Sequence, residues 1–155
     1  MTIKSYISAL HPRFSVWTVT CLLVALFLTA HETFVSTQGN QTVWDGIYTA
    51  EQAERGERVY QDECTFCHLD DLQGDSFATP LIEDAFTTRW NGSNIADFMT
   101  VIQITMPADR PATLSNEAVA EVVAFLLQMN EYPAGDQELD ADFSTHKDTL
   151  FTNPD

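Results

Sequence analysis

Apolar side chains along the chain recur with helical rather than strand spacing. They repeat every three or four positions over residues 50–63, 93–105 and 115–129, which places them on one face of a helix. A shorter helix is predicted over residues 82–89. The segments 69–81 and 106–114 contain Asp and Pro and are predicted to be loops. Since no strand-like alternation of useful length occurs, we expect an all-α fold.

Short polar side chains mark the starts of the predicted helices. Thr49, Ser93 and Ser115 precede the apolar stripes, where a hydroxyl can accept a hydrogen bond from a free backbone amide. Gln52 lies three residues after Thr49, which fits a capping box. Gly56 is destabilising inside a helix, so we expect another helix to cross closely at that residue.

The first 37 residues predict an export signal. Lys4 and Arg13 precede an uncharged run of 15 residues, Val16–Ala30, and no acidic residue comes before that run. A basic start followed by a short apolar run is typical of a secretory signal peptide. A membrane span needs about 20 apolar residues, so the run is short. We interpret residues 1–37 as a signal peptide, with an uncleaved N-terminal anchor as the alternative, and Cys21 within the run as a small hydrophobe.

The acidic composition narrows the classes of partner. The chain has 23 acidic and 7 basic side chains and a net charge of −16. Without residues 1–37 the net charge is −17. Nucleic acid is not expected as a partner, because its phosphates require Lys and Arg. An anionic lipid surface is not expected either, and membrane attachment is expected only if the N-terminal segment stays uncleaved. The charge favours a basic protein partner or a salty environment.

The exported part is predicted to divide into a domain over residues 38–135 and an acidic tail over residues 136–155. Three or four short helices give the domain a thin core, and its long loops need something to pack on. This imbalance indicates a large buried cofactor. The tail holds six acidic residues and one lysine, and we expect it to be mobile.

Residues 64–68 read Cys-Thr-Phe-Cys-His, a C-x-x-C-H motif. Thiols at this spacing can bond both vinyl groups of one haem, and the adjacent His68 can bind the iron. Zinc would need two further ligands, and no second cysteine pair is present. A thioredoxin-like pair normally lies near a strand–helix–strand unit, and a disulfide over so short a loop would be strained. The motif therefore favours one haem c, attached through Cys64 and Cys67.

The second axial ligand of such a haem is predicted to be Met106. Pro107 prevents the preceding helix from continuing, so the thioether of Met106 is carried on a loop. It follows His68 by 38 residues, which is enough chain to pass around a haem edge. The other candidates are Met99, Met129 and His146. Core packing explains the two methionines, and a solvated position in the tail explains the histidine.

Residues 44–135 resemble a class I monohaem c-type cytochrome, in particular those that accompany quinoprotein dehydrogenases. VWDGIYTAEQAERG at 43–56 fits their V-W-D-G-x-Y-T-x-x-Q-A-x-R-G pattern, and AFLLQMNEYPAG at 124–135 fits their last helix and Pro-Ala-Gly end. The resemblance implies the class I cytochrome c fold, with three to four short helices wrapped around one covalently bound haem. It also implies that the first and last helices cross at Gly56, against residues 122–125.

Further roles follow from the same resemblance. The carbonyl of Pro80 is expected to accept a hydrogen bond from the distal ring nitrogen of His68, which would raise its donor strength. Arg89 and Trp90 are expected to hydrogen-bond a haem propionate, with packing as the alternative for Trp90. The residue after the histidine is often Gly in this class, and here it is Leu69, so the following loop departs from the pattern.

The function implied is one-electron transport in the periplasm by a haem c with His68 and Met106 as ligands, rather than enzymatic catalysis. The implied partners are redox proteins, among them a quinoprotein dehydrogenase and a terminal oxidase. One alternative is a permanent haem subunit of a quinoprotein dehydrogenase or of another redox complex. Another is a haem sensor or peroxidase-like protein, which requires that Met106 does not bind the iron.

Overall fold

Five α-helices form the regular structure of residues 41–154, the part of the chain that this computed structural model describes. They are α1 (Ala50–Glu63), α2 (Thr65–His68), α3 (Glu83–Trp90), α4 (Ile95–Thr105) and α5 (Asn116–Met129), with 3-10 turns at Val43–Asp45 and Phe143–His146. No strand occurs in this range, and the only bridges are isolated ones at Leu150. The prediction of an all-α, class I cytochrome c fold is confirmed. The leader predicted over residues 1–37, including Cys21, lies outside the described residues.

The helix starts agree with the predicted caps in two of three cases. The hydroxyl oxygens of Thr49 and Ser115 accept hydrogen bonds from the third residues beyond them, at 3.1 and 3.2 Å. The prediction of Ser93 as a cap is wrong. The side chain of Asn94 accepts from the backbone amide of Asp97 at 2.8 Å instead, because the helix begins one residue later than the pattern indicated.

The close crossing of α1 and α5 brings the two ends of the domain together. A Cβ atom on Gly56 would lie 1.8 Å from the carbonyl oxygen of Glu121 and 3.0 Å from the Cβ of Phe125. Only glycine permits this approach, so the predicted crossing is confirmed. Glycine destabilises α1 by about 1 kcal/mol relative to alanine. It also allows α5 to pack closely, so that the apolar face of α5 from Val119 to Leu127 is buried.

The segment before α1 and the segment after α5 also contact each other. The hydroxyl of Tyr48 donates to the carbonyl oxygen of Tyr132 at 2.6 Å, and the amide of Gly135 donates to the carbonyl oxygen of Tyr48 at 2.7 Å. A Cβ atom on Gly135 would lie 2.0 Å from the carbonyl oxygen of Gly46. The segments 43–56 and 124–135, which carry the two sequence patterns, therefore contact each other directly.

Six aromatic rings form a cluster that includes Trp44 and Tyr132 from these same segments. Neighbouring centroids in this aromatic cluster lie 4.4 to 6.2 Å apart, in tilted or edge-on arrangements that suit the ring quadrupoles. Its members are Trp44, Phe86, Trp90, Phe98, Tyr132 and Phe151. The cluster joins α3, α4 and both ends of the described chain into one apolar core.

The C-terminal residues 136–154 pack on this core through a few buried side chains, and the expectation of a mobile tail is wrong for them. Leu139 and Phe151 are buried. The backbone of Phe151 exchanges hydrogen bonds with the turn before α4, at 2.8 Å with Gly92 and 2.9 Å with Ser93. A few apolar residues anchor the segment. The high acidic content of the segment as a whole gives no indication of these anchors.

Gln52 supplies a second anchor for the same segment. Its side-chain amide donates to the carbonyl oxygen of Leu139 at 2.9 Å and accepts from the amide of Leu139 at 2.7 Å. The capping box predicted at Thr49 is therefore only half formed, because the Gln52 side chain is used here instead. None of the helices in residues 41–154 has the length and apolar character needed to cross a membrane.

Replacing Phe151 with Ala tests whether the C-terminal segment belongs to the core. Loss of a fully buried aromatic ring is expected to lower the free energy of unfolding by about 3–5 kcal/mol. Guanidinium denaturation of the full chain measures the change. Phe77→Ala is the matched control, because the Phe77 ring is 97% exposed. A mobile tail would instead give the two variants the same stability as the parent.

Candidate functional site

The C-x-x-C-H motif forms a single helical turn at the end of α1. The amide of Cys64 donates to the carbonyl oxygen of Tyr60 at 2.9 Å, and the carbonyl oxygen of Cys64 accepts from the amide of His68 at 2.9 Å. Cys64 therefore ends α1 and begins α2. Cys64 and Cys67 are one turn apart and both are free thiols, the form that thioether formation requires. We call residues 64–68 the attachment turn.

The two thiols lie in different environments. Cys67 is exposed, whereas Cys64 is half-buried against the core. The pKa of Cys64 is raised to about 12, mainly by burial and then by the negative charge of Glu63, while the positive charge of Arg110 partly opposes the rise. In this fold Cys64 is therefore a neutral thiol at ordinary pH, unlike the low-pKa cysteines of thiol oxidoreductases.

His68 is buried and oriented by one hydrogen bond. Its Nδ1 lies 3.0 Å from the carbonyl oxygen of Thr79, and since a carbonyl can only accept, Nδ1 carries the proton. Burial lowers the pKa of His68, although the bond to Thr79 partly opposes that effect. The ring is thus held neutral near pH 7 with a lone pair on Nε2, which is the state that binds a metal.

The expectation for Pro80 is corrected by one residue. The carbonyl that faces His68 is that of Thr79, because the loop is pinned on both sides of this point. Upstream, the amide of Gly74 donates to the carbonyl oxygen of His68 at 3.0 Å, and downstream the amide of Leu81 donates to the carbonyl oxygen of Leu72 at 2.8 Å. Sequence position alone could not decide which of two successive carbonyls turns inward.

The chain leaves the attachment turn through a strained residue. Leu69 has φ +62° and ψ +167°, a region that is essentially restricted to glycine. The hydroxyl of Tyr60 donates to the carbonyl oxygen of Leu69 at 2.7 Å and holds this conformation from α1. Sequence reasoning missed this role of Tyr60, because its position on the apolar face of α1 is equally typical of a packing residue.

Met106 lies at the point where α4 gives way to an irregular loop over residues 106–114. Its amide makes the last helical hydrogen bond, to Ile102 at 2.9 Å, and its own backbone is extended. The side chain is half-buried. Arg110 of this loop forms an ion pair with Glu63, the residue before Cys64. The loop that carries Met106 is thereby tied to the attachment turn.

The other candidate ligands have different surroundings. Met99 is fully buried in the core, so the packing explanation holds for it. Met129 is the last residue of α5 and partly exposed. The Nε2 of His146 lies 3.0 Å from the carbonyl oxygen of Asp140 in the C-terminal segment, where the ring serves a local turn.

Trp90 and Arg89 lie at the end of α3, where Trp90 is a member of the aromatic cluster and Arg89 lies beside it. The Trp90 ring is buried, with its centroid 4.4 Å from that of Phe98. The exposed guanidinium of Arg89 lies 5.2 Å from the centroid of the Trp90 ring, a cation–π contact. These contacts fit the packing alternative for Trp90, and contact of either residue with a haem propionate stays a prediction.

The donor set of the attachment turn fits a covalently bound haem better than a metal ion alone. Two thiols one turn apart and a neutral imidazole adjacent to them are the groups that haem c requires. Among residues 41–154, no group of three or more His, Cys, Asp or Glu side chains is placed to hold a metal ion, so a zinc site has no further support.

Comparison with known proteins points in the same direction. The family model described as cytochrome c oxidase, cbb3-type, subunit III matches residues 51–126, a range that contains the attachment turn and Met106. The match supports a c-type cytochrome that carries haem c and transfers electrons rather than a catalytic enzyme. The searches of curated proteins and of solved structures gave no match.

Replacing Leu69 with Gly tests the strain beside the attachment turn. Relief of the backbone strain, reduced by the greater unfolded-state freedom of glycine, is expected to raise the free energy of unfolding by about 1 kcal/mol. Leu69→Ala is the matched control, because it removes the same partly exposed side chain but keeps the Cβ atom. The interpretation is wrong if both variants change the denaturation midpoint equally.

Proposed function

We propose that this protein is an exported one-electron carrier, with haem c attached to Cys64 and Cys67 and with His68 and Met106 as the axial ligands. The observation that carries the proposal is the state of His68. The bond from its Nδ1 to Thr79 leaves Nε2 unprotonated, beside two free thiols on the same helical turn. No other role of this turn needs all three groups together.

The residues around the haem would determine its properties. When bound, haem c supplies a couple between ferric and ferrous iron. Thr79 holds the imidazole of His68 in one tautomer and orientation, which strengthens it as a donor. A thioether from Met106 on the opposite side would favour the ferrous state and raise the reduction potential. With both axial positions filled, small molecules would be kept from the iron, which favours electron transfer over sensing or peroxidase chemistry.

The proposed location is the periplasm. The basic start and short apolar run of residues 1–37 support export, and haem attachment to a C-x-x-C-H motif takes place outside the bacterial cytoplasm. The net charge of −17 outside that leader would attract a basic surface on a redox partner and increase the rate of encounter. The VWDGIYT and YPAG strings support a quinoprotein dehydrogenase as the electron donor, and a terminal oxidase is the proposed acceptor.

A second candidate function is that of a permanent haem subunit in a redox complex. The observation that favours it is the family match, since the matching family is described as a subunit of cytochrome c oxidase. The same haem would then serve as a fixed relay within the complex instead of in a diffusing protein.

Salt dependence separates the two candidate functions. A diffusing carrier is expected to be purified alone, and its bimolecular electron-transfer rate should fall by about tenfold or more between low and high ionic strength, because screening removes the electrostatic attraction. Affinity purification from native extracts at low and at high salt is the companion measurement. A stoichiometric haem complex that survives high salt would contradict the diffusing carrier.

Replacing Met106 with Ala tests the axial ligand. The ferric holoprotein is expected to lose the weak far-red charge-transfer band of methionine–iron ligation, and the ferrous form is expected to bind carbon monoxide rapidly. Met129→Ala is the matched control, because Met129 is partly exposed at the end of α5, and it should keep the parent spectrum. A Met106→Ala protein with an unchanged band would refute the assignment.

A further inference from the structure

One ion pair joins the Met106 loop to the end of α1, directly before the attachment turn. Arg110 Nη2 contacts Glu63 Oε2, and both side chains are partly exposed, at 45% and 26%. Glu63 is the last residue of α1, directly before Cys64. The pair therefore connects the segment that carries the proposed second axial ligand to the segment that carries the first.

Two hydrogen bonds hold the backbone of Arg110 within the loop. Its backbone amide donates to the carbonyl oxygen of Pro107 at 3.0 Å, and its carbonyl oxygen accepts from the hydroxyl of Thr113 at 2.8 Å. At the base of the loop, the side-chain amide of Gln103 donates to the carbonyl oxygen of Leu114 at 2.8 Å. Because one short turn links Arg110 to Pro107, the position of the guanidinium is coupled to the position of Pro107 and Met106.

The remaining ion pairs in residues 41–154 do not tie this loop to α1. Asp109 lies 3.9 Å from Arg110 but belongs to the loop itself. Arg55 pairs with Glu121 and Glu138, at 2.6 and 2.8 Å, and so joins α1 to α5 and to the C-terminal segment. Among the described ion pairs, only Glu63–Arg110 joins the loop to the end of α1, directly before the attachment turn.

We propose that Glu63 and Arg110 are positioning residues that hold the Met106 loop closed over the attachment turn and thereby set how readily an external ligand displaces Met106 from the iron. The inference rests on the proposed function, since it concerns the ligand assigned there. Breaking the pair would leave the haem attachment and His68 in place and would weaken only the closure of the loop.

Imidazole binding to the ferric holoprotein is the test, followed as loss of the far-red methionine band. Glu63→Gln and Arg110→Gln are each expected to tighten imidazole binding by about two- to fivefold, the range for a partly exposed ion pair. Arg55→Gln is the matched control. It removes the ion pairs of the same helix with Glu121 and Glu138, neither of which involves the Met106 loop, and should leave imidazole affinity unchanged.

Salt and charge reversal distinguish a direct electrostatic role from general loosening of the fold. The difference between parent and variants should shrink at high ionic strength, and Glu63→Arg combined with Arg110→Glu should restore affinity toward the parent value. The proposal is overturned if Glu63→Gln and Arg110→Gln bind imidazole as the parent does, or if Arg55→Gln tightens binding equally.

Loss of the Met106 assignment and loss of the positioning role give different experimental results. A parent protein that lacks the methionine band, or a Met106→Ala variant that keeps it, overturns the axial ligand and the positioning role together. A parent with the band, whose Glu63 and Arg110 variants show parental imidazole affinity, overturns the positioning role alone.

Discussion

The crossing of α1 and α5 at Gly56 is the constraint on which the rest of this structure depends. Because no side chain separates the two backbones there, the helices approach closely enough to bury the apolar face of α5. α1 then projects Tyr60, Glu63 and Cys64 from its C-terminal end at fixed positions. Tyr60 holds the carbonyl of Leu69, and Glu63 holds the loop of Met106. The chemistry of the attachment turn is thus positioned by a helix contact two turns away.

The domain is completed by segments that carry no helical pattern. The segment before α1 and the segment after α5 contact each other through the hydrogen bond of Tyr48 with Tyr132 and through the close approach of Gly135 to Gly46. Residues 136–154 then return across α4, place Phe151 in the aromatic cluster and reach Gln52 on α1. The helices alone form a small core for a chain of this length, and the apolar side chains of these segments enlarge it.

Much of the site could be predicted because it is local in sequence. Cys64, Cys67 and His68 fall on one helical turn, so their spacing determines their relative positions. Met106 could be assigned to a loop because Pro107 ends the helix. The partner of His68 is the carbonyl of Thr79 rather than that of Pro80, since which of the two carbonyls faces the ring depends on the hydrogen bond between Leu72 and Leu81. Arg89 and Trp90 lie in an aromatic environment that no local pattern indicates.

The sequence by itself determined the all-α class, the order and approximate bounds of the main helices, the caps at Thr49 and Ser115, and the groups available to bind a haem. These features depend on periodicity and on neighbours a few residues apart, which the chain specifies directly. The tertiary structure decided which carbonyl orients His68, that Gln52 binds Leu139 rather than completing its own cap, that the acidic C-terminal segment is packed, and that Glu63 pairs with Arg110. Each of these contacts joins residues that are distant along the chain or selects among equivalent neighbouring groups, and only the folded backbone brings such groups together.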